Sequence, residues 1–478
     1  MMAMFNNLTL VLQRLQLAIL FAALLCKLCR CSKAIKIPLT EETVRQQLIS
    51  SLQQDIPTIW AYKDLYRHRR ELMLNQGLID RAKRHVSRNN RLKRLFSLAT
   101  QGFNVDVSVV GGSISRGQPF VQKGQGKRVY FNALQDWWNK VIRPVTGSKM
   151  FIKDLSIGGV GTDYFANCLP AHLPTESNTN LVLWELSGND VGRYQRVGTN
   201  SSQPLEQFLR NTLRYRSQPA IILLNFFNGN DLLSKRGCRD LDFDGEGKVA
   251  YHYDVTELSW TRAVCPYLMR DQSGMAFEYL FSKDNRHPSI PAHAQMAYIL
   301  IEHIRDQFVK ALTYSNLQNG VIVKNTLPLP MFEQTYIGAP LCYTLLKVDK
   351  SEPLNTLTVD IVSSPKYLLT TYRSFVHRGD KLQGMQTKSP GEMITFRFVV
   401  PSYAAIFPFK KLAVLSFTRS GEAIAQLDNR STVPLKTDKY ATLGTLETIP
   451  ARNIGPGEHQ LRIWSKRGGF MIMALMLG

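Results

Sequence analysis

The chain contains 478 residues, of which 44% are hydrophobic, so it can build a sizeable core. This length favours two folded domains with an additional segment over a single domain. The formal net charge of +22 at pH 7 would attract anionic partners, such as acidic polysaccharide, lipid headgroups or nucleic acid. The charge alone does not choose among them.

Residues 1–34 are predicted to direct the chain into the secretory pathway. Arg14 precedes an apolar run of twelve residues, from Leu15 to Cys26, which only Gln16 interrupts. Such a run suits the core of a signal peptide better than a transmembrane span, which needs about 20 residues. A cleaved signal is favoured, and an uncleaved anchor that holds the protein at a membrane stays open. A buried amphipathic helix is the third interpretation. We expect a secreted or membrane-anchored protein whose folded domains are extracytoplasmic.

Residues 35–100 are predicted to form a basic, mainly helical N-terminal extension. Between residues 27 and 100, 16 lysine and arginine residues accompany six acidic ones. The densest stretch, 81–94, is explained equally well by a solvated helix face and by an anion-binding surface. No aromatic residue interleaves with its charges, and no zinc-finger, RNP or basic-zipper pattern follows. Nucleic acid is therefore not the expected partner.

Residues 101–325 are predicted to form an α/β domain. Four short, apolar and β-rich runs have the composition of strands buried on both faces: 105–110, 181–186, 220–227 and 321–323. Two stretches between them are helix candidates: 128–142 and 292–312. Strands that alternate with helices favour a doubly wound parallel sheet.

A linker and a second, β-rich domain are predicted after this sheet. Alternating prolines in Leu327-Pro328-Leu329-Pro330 block both a helix and a central strand, so residues 326–338 are assigned to a linker. In residues 339–478, apolar runs separated by Gly, Pro and Asn turns predict strands at 394–400, 412–417, 460–465 and 470–476. This pattern is typical of a β-sandwich, and we expect one of jelly-roll type.

The seven cysteines fall into two groups. Cys26, Cys29 and Cys31 adjoin the targeting segment. The others lie in the body of the chain: Cys168, Cys238, Cys265 and Cys342. These four allow two disulfides in a secreted protein, although free buried thiols are equally compatible. The sequons at Asn200 and Asn429 are informative only if the chain enters the secretory pathway.

The first predicted strand leads directly into a serine between glycines. Ser113 lies in Val-Val-Gly-Gly-Ser-Ile-Ser-Arg-Gly, residues 109–117, at the carboxyl end of the strand, where an α/β sheet exposes functional groups. Gly111 and Gly112 permit the tight backbone path. A serine hydroxyl is a poor nucleophile until an oriented base activates it. Alone, the motif describes an ordinary turn better than an active site.

Two later motifs supply the groups that such a serine would need. Asn189 follows the second strand in Ser-Gly-Asn-Asp and could donate its amide to a tetrahedral oxyanion. Asp284 and His287 are three residues apart, and Pro288 follows. This spacing lets the carboxylate fix the imidazole tautomer while His287 takes the proton from Ser113.

Together, these motifs resemble the blocks of the SGNH, or GDSL-type, hydrolase family. Gly111-Gly112-Ser113-Ile114-Ser115 resembles the nucleophile block, Gly188-Asn189-Asp190 the asparagine block, and Asp284-Asn285-Arg286-His287-Pro288 the closing Asp-x-x-His block. The blocks occur in the family's order, over about residues 103–315. The resemblance implies a flavodoxin-like α/β domain.

The resemblance also implies a role for each site residue. Ser113 would be the nucleophile, His287 the general base and acid, and Asp284 the residue that orients it. The oxyanion hole would use the Ser113 N–H, the Asn189 side chain and the N–H of a glycine in residues 157–162. For that glycine, Gly159 is preferred and Gly161 is the alternative.

The chain departs from the family pattern at one position. The family's usual aspartate before the serine is Gly112 here, which bears on the geometry of the loop more than on the chemistry. Asp190 adjoins Asn189 and could be mistaken for the acid of the triad. Asp284 is preferred because of its spacing to His287.

The function expected from these residues is a serine esterase that forms an acyl-enzyme without a metal or other cofactor. The secretory N-terminus, the basic surface and the β-rich domain favour O-acetyl groups on an extracellular polysaccharide as the acyl-ester substrate, and an acidic polysaccharide is one candidate. Two alternatives stay open: a polysaccharide O-acyltransferase, and a non-catalytic glycan-binding surface protein. The sequence does not determine the oligomeric state.

Overall fold

A computed structural model describes the following residues of the chain: 41–54, 73–88, 90–118, 128–190, 202–233, 245–270, 275–314, 317, 323, 326–348, 351–363, 366–373, 381–417, 421–436, 445–449, 453–467 and 469–478. The chain divides into two compact units, residues 1–47 and 48–478. Of the first unit, the structure describes only residues 41–47, the start of helix α1 (Glu41–Gln54). Several predictions fall outside the described residues: the targeting segment 1–34 with its three cysteines, the sequon at Asn200, Cys238, and residues 321–322 of the fourth predicted strand.

The α/β domain is built on a mixed, mostly parallel sheet. Its strands in the described ranges are β1 (Lys83–His85), β2 (Val105–Gly111), β3 (Met150–Asp154), β4 (Thr179–Glu185), β5 (Ala220–Asn225) and β6 (Thr256–Ser259). Their spatial order is β1-β6-β5-β4-β2-β3, with β1 antiparallel to β6 and the other pairs parallel. The predicted strands 105–110, 181–186 and 220–227 are β2, β4 and β5.

Helices cover both faces of this sheet. They are α2 (Gln76–Ala82), α3 (Asn90–Thr100), α4 (Tyr130–Val141), α5 (Arg143–Thr146), α6 (Thr162–His172), α7 (Ser202–Leu213), α8 (Gly229–Leu233), α9 (Glu246–His252), α10 (Trp260–Arg270), α11 (Met275–Leu280) and α12 (Ile290–Tyr314). Successive side chains of a strand point to opposite faces. Leu181 and Leu183 accordingly enter the hydrophobic core beneath α4 and α12, whereas Val182 and Trp184 enter the core beneath α6 and α7. The predicted doubly wound α/β domain is confirmed.

No helix in the described ranges is both long enough and apolar enough to span a membrane.

The basic stretch 81–94 takes part in the α/β domain. It contributes the edge strand β1 and the start of helix α3, whose Leu92 and Leu95 are buried. Arg91 donates to the backbone oxygen of Leu213 over 3.1 Å, and Arg94 donates to that of Ser217 over 3.0 Å. Burial lowers the pKa of Arg91 to about 10. At least these two charges stabilise the fold instead of forming a solvated arm.

The second domain consists of antiparallel sheets that enclose a separate core. The strands are β7 (Leu341–Thr344), β8 (Val359–Ser363), β9 (Leu368–Arg373), β10 (Lys381–Gln386), β11 (Met393–Val400), β12 (Leu412–Ser416), β13 (Glu422–Leu427), β14 (Val433–Lys436), β15 (Thr445–Ile449), β16 (Gly457–Ser465) and β17 (Met471–Leu477). One sheet has the order β15-β12-β17-β10-β9, with β7 also paired to β17, and the other has the order β14-β13-β16-β11-β8. All four predicted strands of this domain are present, as β11, β12, β16 and β17. The β-rich domain is therefore confirmed.

The two domains share a hydrophobic core. Trp184 and Leu186 of the α/β domain belong to the same buried cluster as Met471, Met473 and Met476 of the β-rich domain. Helix α6 lies in this cluster, and a disulfide joins its Cys168 to Cys342 in β7. Cys265 is also disulfide-bonded. The disulfide and the shared core fix the two domains to each other.

The segment between the domains lies along helix α7 and is held there by a buried carboxylate. Glu206 accepts hydrogen bonds from the backbone N–H of Met331 (2.5 Å) and Phe332 (3.1 Å), from the hydroxyl of Thr335, and from that of Tyr253 (2.7 Å). Glu206 is fully buried. A buried carboxylate is tolerated only when such donors replace water. These bonds keep the predicted linker ordered.

Other residues of the same helix extend this attachment. Gln207 donates to the backbone oxygen of Tyr336 over 2.9 Å and accepts from its N–H over 2.7 Å. Arg210 donates to the backbone oxygen of Pro328 over 2.7 Å. Residues 326–338 therefore connect the domains as a fixed strap.

Removal of the Cys168–Cys342 disulfide is expected to destabilise both domains together. The bond closes a loop of 174 residues in sequence, and loss of a native disulfide costs roughly 2–5 kcal/mol of unfolding free energy. We expect the double variant Cys168→Ala/Cys342→Ala to unfold in one transition at a lower denaturant concentration, measured by circular dichroism and tryptophan fluorescence. An unchanged midpoint would contradict this account.

Candidate active site

The predicted site residues lie at one edge of the sheet. Ser113 follows β2, Gly159 follows β3 and Asn189 follows β4. These three strands are parallel neighbours, so their carboxyl ends meet. The turn after β3 is tied to the end of β2 by the bond from the Ile157 N–H to the Gly111 oxygen, 3.0 Å. The sheet thus brings the turns that carry Ser113, Gly159 and Asn189 together.

Ser113, His287 and Asp284 form a continuous hydrogen-bonded chain. Ser113 Oγ lies 2.8 Å from His287 Nε2, and His287 Nδ1 lies 2.6 Å from Asp284 Oδ2. With the imidazole proton on Nδ1, the ring donates to the carboxylate, and Nε2 accepts the serine proton. The exposed fractions of Ser113 and His287 are only 6% and 4%. The arrangement can move a proton from the serine to the histidine.

The loop that carries His287 folds around Asp284. Asp284 Oδ1 accepts from the backbone N–H of both Arg286 and His287, each over 3.0 Å. Asn285 has φ +53°, in the left-handed region that asparagine tolerates better than most residues. This local turn explains why a spacing of three residues suffices to place the Asp284 carboxylate beside Nδ1 of His287.

Asp284 is held as a carboxylate. Burial alone would raise its pKa, but the hydrogen bond and positive charge of His287, with the two backbone N–H groups, lower it to about 2. The side chain is still 40% exposed. A charged Asp284 favours the protonated form of His287 that arises when the ring takes the serine proton.

Asn189 lies directly over the backbone next to Ser113. Its Nδ2 donates to the Val160 oxygen over 2.8 Å, which fixes the amide and leaves its second hydrogen for another acceptor. A Cβ added to Gly112 would lie 2.3 Å from this Nδ2. The amide of Asn189 therefore occupies the space of a side chain at position 112. A side chain at position 112, such as the aspartate usual in the SGNH family, would have to displace this amide.

Gly159 and Gly161 differ in conformation. Gly159 has φ +78°, which L side chains rarely adopt, whereas Gly161 has an extended backbone and precedes helix α6.

Asp190 accepts from the Thr162 N–H over 2.8 Å and from its hydroxyl over 2.5 Å. Asp190 thus anchors the start of α6, and the carboxylate that contacts His287 is Asp284.

A glycine that the sequence analysis did not single out supports the histidine loop. The N–H of Gly229, the first residue of helix α8, donates to the Arg286 oxygen over 3.3 Å. A Cβ at this position would lie 2.5 Å from the Asn285 oxygen. The close approach of the two backbones requires glycine here.

Glu185 is a second residue that the sequence analysis missed. It ends β4 and is 2% exposed, and its Oε2 accepts from the Ser115 N–H (3.1 Å) and hydroxyl (2.8 Å). Burial raises the pKa of Glu185 to about 8, against the effect of these hydrogen bonds. The sequence signal that could have identified it is a charged residue at the end of an apolar strand.

Within the described ranges, no group of three or more His, Cys, Asp or Glu residues is placed to hold a metal ion.

Comparison with solved structures identifies the fold. A two-domain esterase called CEX, active on acetylated mannans and co-crystallised with mannopentaose, matches with a TM-score of 0.58 and 16% sequence identity. The match covers 83% of this chain and 97% of that one. A second structure of the same esterase matches over the same shares of both chains, with a TM-score of 0.57. No protein-family model and no curated protein matches the sequence.

This chain thus has the fold of a two-domain esterase: a mostly parallel α/β domain followed by an antiparallel β-rich domain. The comparison confirms the predicted fold, a mostly parallel α/β domain with an appended β-rich domain.

The Gly112–Asn189 contact leads to a kinetic prediction. In Gly112→Ala, the new methyl group must displace the amide of Asn189. The sequence predicts that Asn189 is an oxyanion donor, and loss of one such donor costs roughly 10²–10³ in kcat. On that prediction, we expect Gly112→Ala and Asn189→Ala each to slow hydrolysis of p-nitrophenyl acetate by about that factor. The double variant should be no slower than Asn189→Ala, because both changes act on one amide.

Gly188→Ala is the matched control for this experiment. A Cβ at Gly188 has no neighbour closer than 3.8 Å, an ordinary contact, so most of the rate should remain. Additive losses in the Gly112→Ala/Asn189→Ala double variant would show that the two positions act independently and contradict the interpretation.

The raised pKa of Glu185 predicts how stability changes with pH. The ordinary value of 4.5 rises to about 8 in the folded protein. The folded state therefore keeps a proton that the unfolded chain releases above pH 4.5. This stabilisation is complete below 4.5 and is lost as pH rises towards 8. Glu185→Gln cannot ionise, so its melting temperature relative to the parent protein should rise between pH 5 and 8. A constant difference across this range would contradict the assignment.

Proposed function

We propose that this protein is a serine esterase that forms an acyl-enzyme on Ser113. The observation that carries the proposal is the Ser113–His287–Asp284 chain of hydrogen bonds at the carboxyl end of the sheet. The esterase fold of the structural relative supports it. Serine, histidine and carboxylate groups hydrogen-bonded in this order are what nucleophilic acyl transfer requires.

Acylation follows from the geometry. His287 Nε2 takes the proton of Ser113 as Oγ attacks the ester carbonyl, and Asp284 stabilises the imidazolium. The oxyanion is assigned to the Ser113 and Gly159 N–H groups and the Asn189 side chain. When the tetrahedral intermediate collapses, the imidazolium returns its proton to the departing alcohol, and the acyl group stays on Ser113. Water then attacks the acyl-enzyme carbonyl with His287 as base. The acyl group leaves as a carboxylic acid, and His287 returns the proton to Ser113 Oγ.

For the substrate, we propose O-acetyl groups on an extracellular polysaccharide. The esterase that shares this two-domain fold is active on acetylated mannans. The Cys168–Cys342 disulfide supports an oxidising compartment, because disulfides rarely persist in the cytosol.

A fluorophosphonate probe tests the nucleophile. It phosphonylates an activated serine with loss of fluoride, so we expect labelling of the parent protein and none of Ser113→Ala, measured by intact-protein mass spectrometry. Ser108→Ala is the matched control, because Ser108 is another buried serine, on the strand β2 that precedes the Ser113 turn. An unlabelled parent protein, or equal labelling of Ser113→Ala, would overturn the proposal.

An acetate-release assay tests the substrate. The parent protein and Ser113→Ala are incubated with acetylated mannan, other acetylated polysaccharides and p-nitrophenyl esters of short and long acyl chains. Acetate should be released from at least one polysaccharide by the parent protein alone. Cleavage of long-chain esters without release from acetylated glycans would remove the substrate proposal but keep the esterase. Transfer of acetyl to an added polysaccharide in preference to water would indicate an acyltransferase.

A further inference from the structure

Glu185 contacts the turn that carries Ser113 on both sides of the serine. On one side, its backbone oxygen accepts from the Gly112 N–H over 3.1 Å. On the other, its carboxyl accepts from the N–H and hydroxyl of Ser115 over 3.1 and 2.8 Å. One residue therefore fixes the positions immediately before and two residues after the candidate nucleophile.

The surroundings of the Glu185 carboxyl make these bonds strong. Glu185, Ser115 and the hydroxyl-bearing Tyr130 are all buried, and Tyr130 Oη lies 2.9 Å from Ser115 Oγ. A buried N–H or O–H group that loses its acceptor cannot turn to water instead. Tyr130 belongs to helix α4, so the bonds link the end of β4, the serine turn and a helix on one face of the sheet.

We infer that Glu185 is a positioning residue for the proposed esterase reaction: it holds the Ser113 turn so that Ser113 Oγ stays within hydrogen-bonding distance of His287. This inference rests on the proposed function. Glu185 does not itself contact the reacting atoms. It acts through Gly112 and Ser115, the backbone on either side of Ser113.

The required property of Glu185 is its acceptor oxygen and not a negative charge. Burial keeps the carboxyl protonated at neutral pH, because its pKa lies at about 8. Glutamine has the same shape and also offers a carbonyl oxygen to the N–H and hydroxyl of Ser115. Methionine fills a similar volume but accepts such bonds only weakly. The pair Glu185→Gln and Glu185→Met therefore separates hydrogen bonding from packing.

The decisive experiment compares these variants in p-nitrophenyl acetate hydrolysis. A displacement of about 1 Å in an active site can cost 10²-fold in rate, so we expect Glu185→Met to lower kcat by roughly 10- to 100-fold with little change in KM. The rate constant for labelling by the fluorophosphonate probe should fall in parallel. Glu185→Gln should restore both quantities to nearly the parent value, which a purely space-filling role would not require.

Thr179→Val is the matched control for stability. Thr179 begins β4, and its hydroxyl lies 2.9 Å from Ser108 Oγ of β2, so this variant loses a buried polar contact between the same two strands, away from the serine turn. It should lower the melting temperature without changing kcat. Ser115→Ala removes only the hydroxyl part of the contact and should lower kcat less than Glu185→Met, again without a change in KM. It serves as the main test if Glu185→Met does not fold.

The outcomes separate this inference from the proposed function. Absence of labelling in the parent protein would overturn the esterase itself. If the parent protein is labelled, the parent kcat in folded Glu185→Met would overturn the positioning role alone, and so would the parent kcat in Ser115→Ala should Glu185→Met not fold. A loss in Glu185→Gln as large as in Glu185→Met would overturn it too, because glutamine retains the acceptor.

Discussion

Helix α6 is the element on which the rest of the structure depends, because bonds from its first residue and from its middle reach different parts of the molecule. At its start, the backbone N–H and hydroxyl of Thr162 donate to the buried carboxylate of Asp190, next to Asn189. Negative charge at this end is also favourable to the helix dipole. In its second half, Cys168 is disulfide-bonded to the β-rich domain. The segment that carries Asn189 and the β-rich domain are therefore both attached to helix α6.

The segment that connects the domains is also fixed by hydrogen bonds to a helix, in this case α7. Alternating prolines kept the segment out of helix and sheet, as the sequence indicated, but they did not make it loose. Glu206 and Gln207 bind its backbone in place of the partners that regular secondary structure would have supplied. The side chains that order the segment lie about 125 residues earlier in the chain, as the sequence separations show. The local composition of residues 326–338 therefore does not predict that the segment is ordered.

Much of the α/β domain and its site could be predicted because the relevant signals are local. Apolar runs marked β2, β4 and β5, and the parallel arrangement then placed Ser113 and Asn189 at one edge. What could not be predicted depends on pairing between distant segments. The role of Glu185 depends on the register that sets it opposite Gly111. The disulfide partner of Cys168 depends on a domain contact across 174 residues.

The shared core has a consequence for how the chain can be divided. Methionines of β17 share a buried cluster with Trp184 and Leu186 of the α/β domain, so a cut at the proline-rich segment separates the sequence but not the packing. Expressed alone, the α/β domain would present this apolar surface to water and tend to aggregate. A replacement β-rich domain would have to reproduce the methionine face and the cysteine together. The two domains are consecutive in the chain, yet they are not interchangeable modules.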